Sequence, residues 1–194
     1  MAALALPLAT ASAETSHSVY GSYDARAFYS RPISTSLAGA KAGWEGRRTS
    51  PLGVFVEAGY LRAGSEDFYL LSIGGGARFV AFASGRFELG GQALLDVEHA
   101  HLGRYRNANV LVAVGGGGYA EVRVLPRASL TLTLSAHAFV DVTPPTRCND
   151  GSSSQSTGQG TCSWHGGIDF YTDQLGEGAG LDALVGFRFW LGGH

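Results

Sequence analysis

Three side chains in one short stretch are the chain's best candidates for bond-making chemistry: Ser135, His137 and Asp141. A hydrolase or acyl transferase needs a nucleophile, a base and a carboxylate that orients the base, and these are the three residue types. They occupy odd positions of residues 127–142, where Leu130, Leu132, Leu134, Ala136, Ala138, Val140 and Val142 fill the even ones. Strand side chains alternate between faces, so the three share one wet face opposite a wholly apolar one. Same-face neighbours on a strand stand roughly 6.5–7 Å apart, so the spacing does not secure a direct Ser135–His137 hydrogen bond. The plainer reading is a satisfied polar network, and on that reading the chain is not an enzyme.

The remaining constellations carry less. His99 and His101, two residues apart, could share a face and hold a metal, but no cysteine or carboxylate is placed with them. Arg104 and Arg106 could pair with phosphate bidentately, and a plain polar loop explains them as well. The runs Gly74–Gly75–Gly76 and Gly115 to Gly118 lack the Gly-Lys-Ser/Thr ending of a phosphate loop. Asp150 and its serines do not make an EF-hand. No cofactor and no metal are expected. Cys148 and Cys162 flank a polar stretch, and in a secreted chain they read as one disulfide stapling a long exposed loop.

What positions these residues is a repeated alternation. It recurs in residues 18–29, 33–46, 52–61, 68–82, 86–97, 110–124 and 181–191, which with 127–142 makes eight strands. The run 18–29 alternates most weakly. Residues 1–13 form a short apolar segment ending in Ala11-Ser12-Ala13, a small-x-small cleavage pattern, and are expected to be the remnant of a signal peptide. Residues 14–194 are then one domain, with about 23 residues for each strand and its connection, enough for a minimal eight-stranded barrel. Only 15% of residues are charged and the net charge is −2, a balance that argues against a nucleic-acid partner. No run of about eighteen apolar residues could cross a membrane as a helix.

A soluble barrel and a membrane barrel share the alternation but invert it. The polar face here carries both signs: Arg26, Lys41, Arg78, Arg123 and Arg188 against Asp24, Glu57, Glu88, Asp96, Glu121 and Asp141. Mixed charge suits the packed interior of a narrow barrel whose apolar face meets lipid. The connections alternate as well: residues 47–51, 83–85 and 125–128 are short, whereas 98–109 and 143–180 are long, the pattern of short periplasmic turns and longer outer loops. Trp44, Tyr60, Phe87, Phe187 and Phe189 could form interfacial belts.

The final strand, Gly186-Phe187-Arg188-Phe189-Trp190-Leu191, resembles the signal that the outer-membrane insertion machinery reads, with Gly186, Phe189 and Leu191 at the matching positions. It departs from that signal in running on through Gly192-Gly193-His194. With the alternation, this makes the whole mature chain resemble the small eight-stranded outer-membrane barrels of the OmpA/OmpX type. The resemblance implies an all-β, eight-stranded antiparallel up-and-down transmembrane barrel in the outer membrane of a Gram-negative bacterium. It also implies outer-membrane lipid, lipopolysaccharide and the insertion machinery as partners. Some such barrels modify lipid A; the deacylases among them carry His-x-Ser, and this chain has the reverse, Ser135-x-His137.

The expectation is therefore a structural or surface-interaction barrel with a packed polar lumen that includes Lys41, Glu57, Arg78, Glu88, Asp96, Glu121, Arg123 and Arg188. A lipid-modifying acyl hydrolase or transferase and a soluble lipocalin-like carrier are the alternatives.

Overall fold

The computed structural model describes residues 16–31, 33–47, 51–64, 67–102, 108–154, 161–170 and 175–191. The expected signal segment, Arg104, Arg106 and the three C-terminal residues lie outside these. Eight long strands close a barrel: β1 (Ser16–Ser30), β2 (Ser34–Arg47), β3 (Leu52–Ala63), β4 (Phe68–Ser84), β5 (Phe87–Leu102), β6 (Ala108–Leu125), β7 (Ala128–Asp141) and β11 (Glu177–Trp190). Three short ones, β8 (Thr146–Cys148), β9 (Ser153–Ser154) and β10 (Ile168–Phe170), form a separate sheet in the connection between β7 and β11.

Barrel neighbours are sequence neighbours, all antiparallel, and β1 pairs with β11 to complete the ring. The weakly alternating first segment is thus the closing strand, paired from Ser18↔Trp190 to Ser30↔Gly178. Closure leaves none of these eight strands with an unpaired edge, which permits a sheet to live in hydrocarbon. The strands run 12 to 18 residues, and all but β2 and β7 are longer than the sequence alternation suggested. At the end of the barrel away from its chain ends, the strands continue past the point where the alternation stops. One consequence is that His99 and Glu98 belong to β5 rather than to a loop.

Parity decides the faces. Even positions of β1, β4, β5 and β11 and odd positions of β2, β3, β6 and β7 point inward. The outward set is apolar on every strand, including Tyr23, Val54, Val56, Ile73, Phe79, Leu95, Val114, Leu134, Leu181, Val185, Phe187 and Phe189, all exposed. The five aromatics expected as belts all lie on this outer face.

The interior departs from the uniformly polar lumen that the sequence suggested. It has two layers. The half nearer the short turns holds the charged residues. The other half is an apolar plug of Phe28, Leu37, Leu61, Phe68, Leu70, Ala100, Leu111, Ala113 and Phe139, joined by Ile33 and Leu175 from the connections. Phe139, the one apolar residue on the wet face of β7, stacks on Phe28 at 4.7 Å between centroids, and Phe28 meets Phe68 edge-on at 5.3 Å. A narrow barrel closed by side chains at both levels is a packed core.

Candidate functional site

Three places could carry function: the charged layer, the Ser135–His137 face and the β7–β11 connection. The charged layer is built around Glu45, fully buried, whose carboxylate accepts ion pairs from Arg47 and Arg78 at 2.8 Å and from Arg188 at 2.7 Å. Arg188 also reaches Glu121 at 3.3 Å, and Arg47 reaches Glu88 at 2.9 Å. The guanidiniums lie over aromatic faces, Arg78 over Tyr119 at 4.8 Å and Arg188 over Trp190 at 5.4 Å, which adds cation–π attraction to their ion pairs. Deeper in, Lys41 pairs with Glu57 at 3.0 Å and with Asp24 at 3.7 Å, and Tyr20 donates to Glu57 at 2.8 Å. Asp96 fits because Gly74, opposite it on β4, has no Cβ; one would collide with the carboxylate.

Of the eight lumen residues named from sequence, seven sit in this layer. Arg123 lies at the turn end, half-buried, lining a shallow cavity of about 130 Å³ with Arg86 and Pro126. Sequence reading missed Glu45, Arg47 and Glu98, although each has the parity of a named neighbour: Glu45 and Arg47 that of Lys41, Glu98 that of Asp96.

The proposed triad does not assemble. Ser135 and His137 both face the lumen, but His137 Nδ1 pairs with Asp182 of β11 at 3.1 Å, not with Asp141. Asp182 is itself held by Arg26 at 2.5 Å, and Arg26 takes Glu98 as its second partner at 2.5 Å. The imidazole lies across Gly180, its register partner on β11, where a Cβ would strike the ring. Asp141 instead ties down the long connection. It accepts from Asn109 Nδ2 at 2.7 Å, Thr143 N at 2.9 Å and Leu175 N at 2.7 Å, so one carboxylate fixes both feet of that segment. The physical reason is position: Asp141 stands at the strand's end, two side chains beyond His137 with Phe139 between. His99 and His101 are on the outer face of β5, His101 stacked on Tyr69 at 4.9 Å; among the described residues no metal-holding cluster occurs.

The connection carries the best-defined local geometry outside the barrel. Cys148 and Cys162 are disulfide-bonded, with Cα atoms 5.3 Å apart. Around the bond, β8 lies between β9 and β10. Cys162, at φ 60°, offers its carbonyl to His165 N at 2.9 Å and Gly167 N at 3.0 Å, a turn that Gly166 and Gly167 make possible at φ 76° and 98°. Asn149 clamps the same turn, its Nδ2 donating to Gly166 O at 2.6 Å. This sets His165 Nδ1 2.6 Å from Asp150 Oδ2, while Ser152 donates its hydroxyl at 2.6 Å and its amide at 2.9 Å to Asp150 Oδ1. Those donors, Ser152 first and then His165, pull the Asp150 carboxyl down to about 2. Trp164, beside His165, is 95% exposed.

The closed ring with charge inside and an apolar wall outside is similar to solved structures. Neisserial surface protein A (NspA) superposes with a TM-score of 0.61 at 16% identity, over 91% of this chain and 98% of that one. The fold is that of a small outer-membrane β-barrel. A major outer membrane protein of Thermus thermophilus (TM-score 0.49, 12% identity) and Ail, the attachment invasion locus protein of Yersinia pestis (0.46, 12%), are also similar, each over 91% of this chain and 99% of theirs. No curated protein matches the sequence. A family described as a domain of unknown function (DUF3761) matches residues 144–171, the disulfide-bonded connection.

Proposed function

We propose that the chain is an integral, non-catalytic barrel of a Gram-negative outer membrane whose task is to present the disulfide-bonded connection at the cell surface. The observation that carries this reading is the sidedness of the closed barrel: an apolar surface on all eight strands encloses the ion pairs. A lipocalin-like carrier needs the opposite, an apolar cavity and a wet exterior. The lipid-modifying alternative needs His137 reachable, whereas it is buried beneath the Phe28–Phe139 plug with no nucleophile bonded to it. Short turns then face the periplasm and the connections at the plug end face outward. Gly186, Phe189 and Leu191 supply the signal to the insertion machinery, and outer-membrane lipid with lipopolysaccharide surrounds the apolar wall.

Membrane fractionation followed by gel migration with and without boiling tests the reading. A detergent-requiring protein whose band shifts on boiling is expected. A protein released without detergent and showing no shift would overturn it.

A further inference from the structure

Resting on that reading, we propose that the Cys148–Cys162 module is a protein-recognition surface. Trp164 is its anchor and the Asp150–His165 pair its polar rim, and the partner offers an indole-sized apolar pocket bordered by basic groups.

The indole is the first argument. Trp164 is 95% exposed, whereas Trp44 on the barrel wall is 36% and Trp190 in the lumen 5%. The turn that carries it is fixed on both sides: by the disulfide, by two amides on Cys162 O and by the Asn149 clamp. The backbone beneath the indole is thus ordered before binding, which leaves the two side-chain torsions as the local ordering cost, and Trp is enriched among the residues that dominate an interface when they fill a pocket. A ring this exposed projects instead of lining a cleft, so the concave surface belongs to the partner, which selects a protein over a small saccharide.

The rim is the second. Asp150 is fixed by Ser152 and in turn fixes His165 through Nδ1; among the described residues Nε2 has no partner. The described residues 149–154 and 161–167 are otherwise Ser, Gly, Asn, Thr and the bonded Cys162, the adaptable polar set typical of binding loops that carry aromatic anchors. Charge gives the partner's sign. The connection between β7 and β11, residues 142–176, holds one arginine, Arg147, against Asp150, Asp169 and Asp173, a net −2 that matches the whole chain's in under a fifth of its length.

The third argument is modularity. The family match ends at 144 and 171, coinciding with the small sheet and its disulfide and including no barrel strand. The barrel therefore does not dictate this segment's sequence.

The test uses the whole protein in detergent or nanodiscs. A display library of a small folded repeat domain randomised on its concave face is depleted on the Trp164→Ala protein, then selected on the unaltered one, and the selected domain is purified. Expected is a domain whose concave face sets Lys or Arg around apolar residues, bound at least tenfold more weakly by Trp164→Ala. Asp150→Asn with His165→Gln should weaken it a few-fold, as should raising salt to 0.5 M. Each variant lies outside the barrel and should keep the boiling-dependent gel shift, which separates lost binding from lost folding.

No enrichment after depletion, or equal binding to Trp164→Ala, overturns the proposal. Trp164-dependent binding to a glycan array without enrichment of any concave domain overturns the class of partner. An epitope tag inserted after Ser154 and probed on intact cells checks the display reading separately: a tag out of antibody reach with domain binding intact refutes display alone, and a reachable tag with no binding refutes recognition alone.

Discussion

Replacing Arg26 with Met would leave two carboxylates facing each other inside the barrel without their shared cation. The side chain is fully buried and its two ion pairs, to Glu98 and Asp182, are each 2.5 Å. At an effective dielectric of 20 each pair attracts by roughly 7 kcal/mol, against about 1.7 kcal/mol in bulk water. Most of that attraction offsets desolvation, so the net cost of removing one partner is about 3–5 kcal/mol. With a denaturant slope of about 2 kcal/mol/M, the urea midpoint should fall by roughly 2 M. Folded fraction is read by the unboiled gel band across a urea series in lipid vesicles. Two companions sharpen the result. Arg62→Met removes a partner from the exposed Arg62–Asp67 pair at 3.7 Å and should cost about 0–1 kcal/mol. Arg26→Met combined with Glu98→Gln and Asp182→Asn removes all the charge together and should recover most of the loss. A cost for Arg26→Met no greater than that for Arg62→Met would mean that water fills this layer, and the description of the interior as a dry core would be wrong.

Phe139→Ala empties the centre of the plug and should cost about 3–5 kcal/mol in the same assay, while planar-bilayer conductance stays near baseline because the charged layer still fills the barrel. Gly180→Ala should destabilise by about 1–3 kcal/mol, since its methyl would meet the His137 ring; pairing it with His137→Ala should remove that penalty. Cys148→Ser opens a loop of sequence separation 14, a constraint worth about 3 kcal/mol to the segment it closes. Limited proteolysis should then cut within 144–171 while the gel shift of the barrel is unchanged. Asp150 has its carboxyl pulled down to about 2, below the ordinary value of about 3.9. Its stabilisation of the turn is therefore present above about pH 4 and is lost as pH falls through 2; Trp164 fluorescence should report this, and Asp150→Asn should abolish the transition.

The barrel was legible because period-two alternation is long-range information repeated eight times, and a barrel is the arrangement that hides every strand edge at once. The inner face was legible through parity wherever it carried charge. It failed at the plug, where Phe28, Leu37, Leu61, Leu70 and Leu111 have lumen parity but apolar character. Both faces of those strand ends are greasy, so alternation disappears and the strands look shorter than they are. The true partner of His137 was hidden for another reason. Asp182 lies 45 residues away and becomes its neighbour only through the β7–β11 register, Gly180↔His137. The sequence trace of that contact was Gly180, a missing side chain in phase with Asp182, which means something only once the register is known.

The two layers of the interior also locate where chemistry can be exchanged with other molecules. An ion entering from the turn end meets Glu45 already shared among three guanidiniums, then Lys41 and Arg26 already paired, with aromatic faces occupying the space between. Beyond them it would have to cross an apolar layer at least two side chains deep, His137 being the last polar group on β7 before Phe139. Shedding hydration there costs several kcal/mol with nothing to replace it. The lumen therefore serves as the core of the molecule, doing for a membrane barrel what a hydrophobic centre does for a soluble one. Among the described residues, the surfaces left to act are the apolar wall and the segment anchored through Asp141. That segment is fixed at both feet by a single carboxylate and clamped in its middle by a disulfide. A tether whose only task was to span β7 to β11 would need neither.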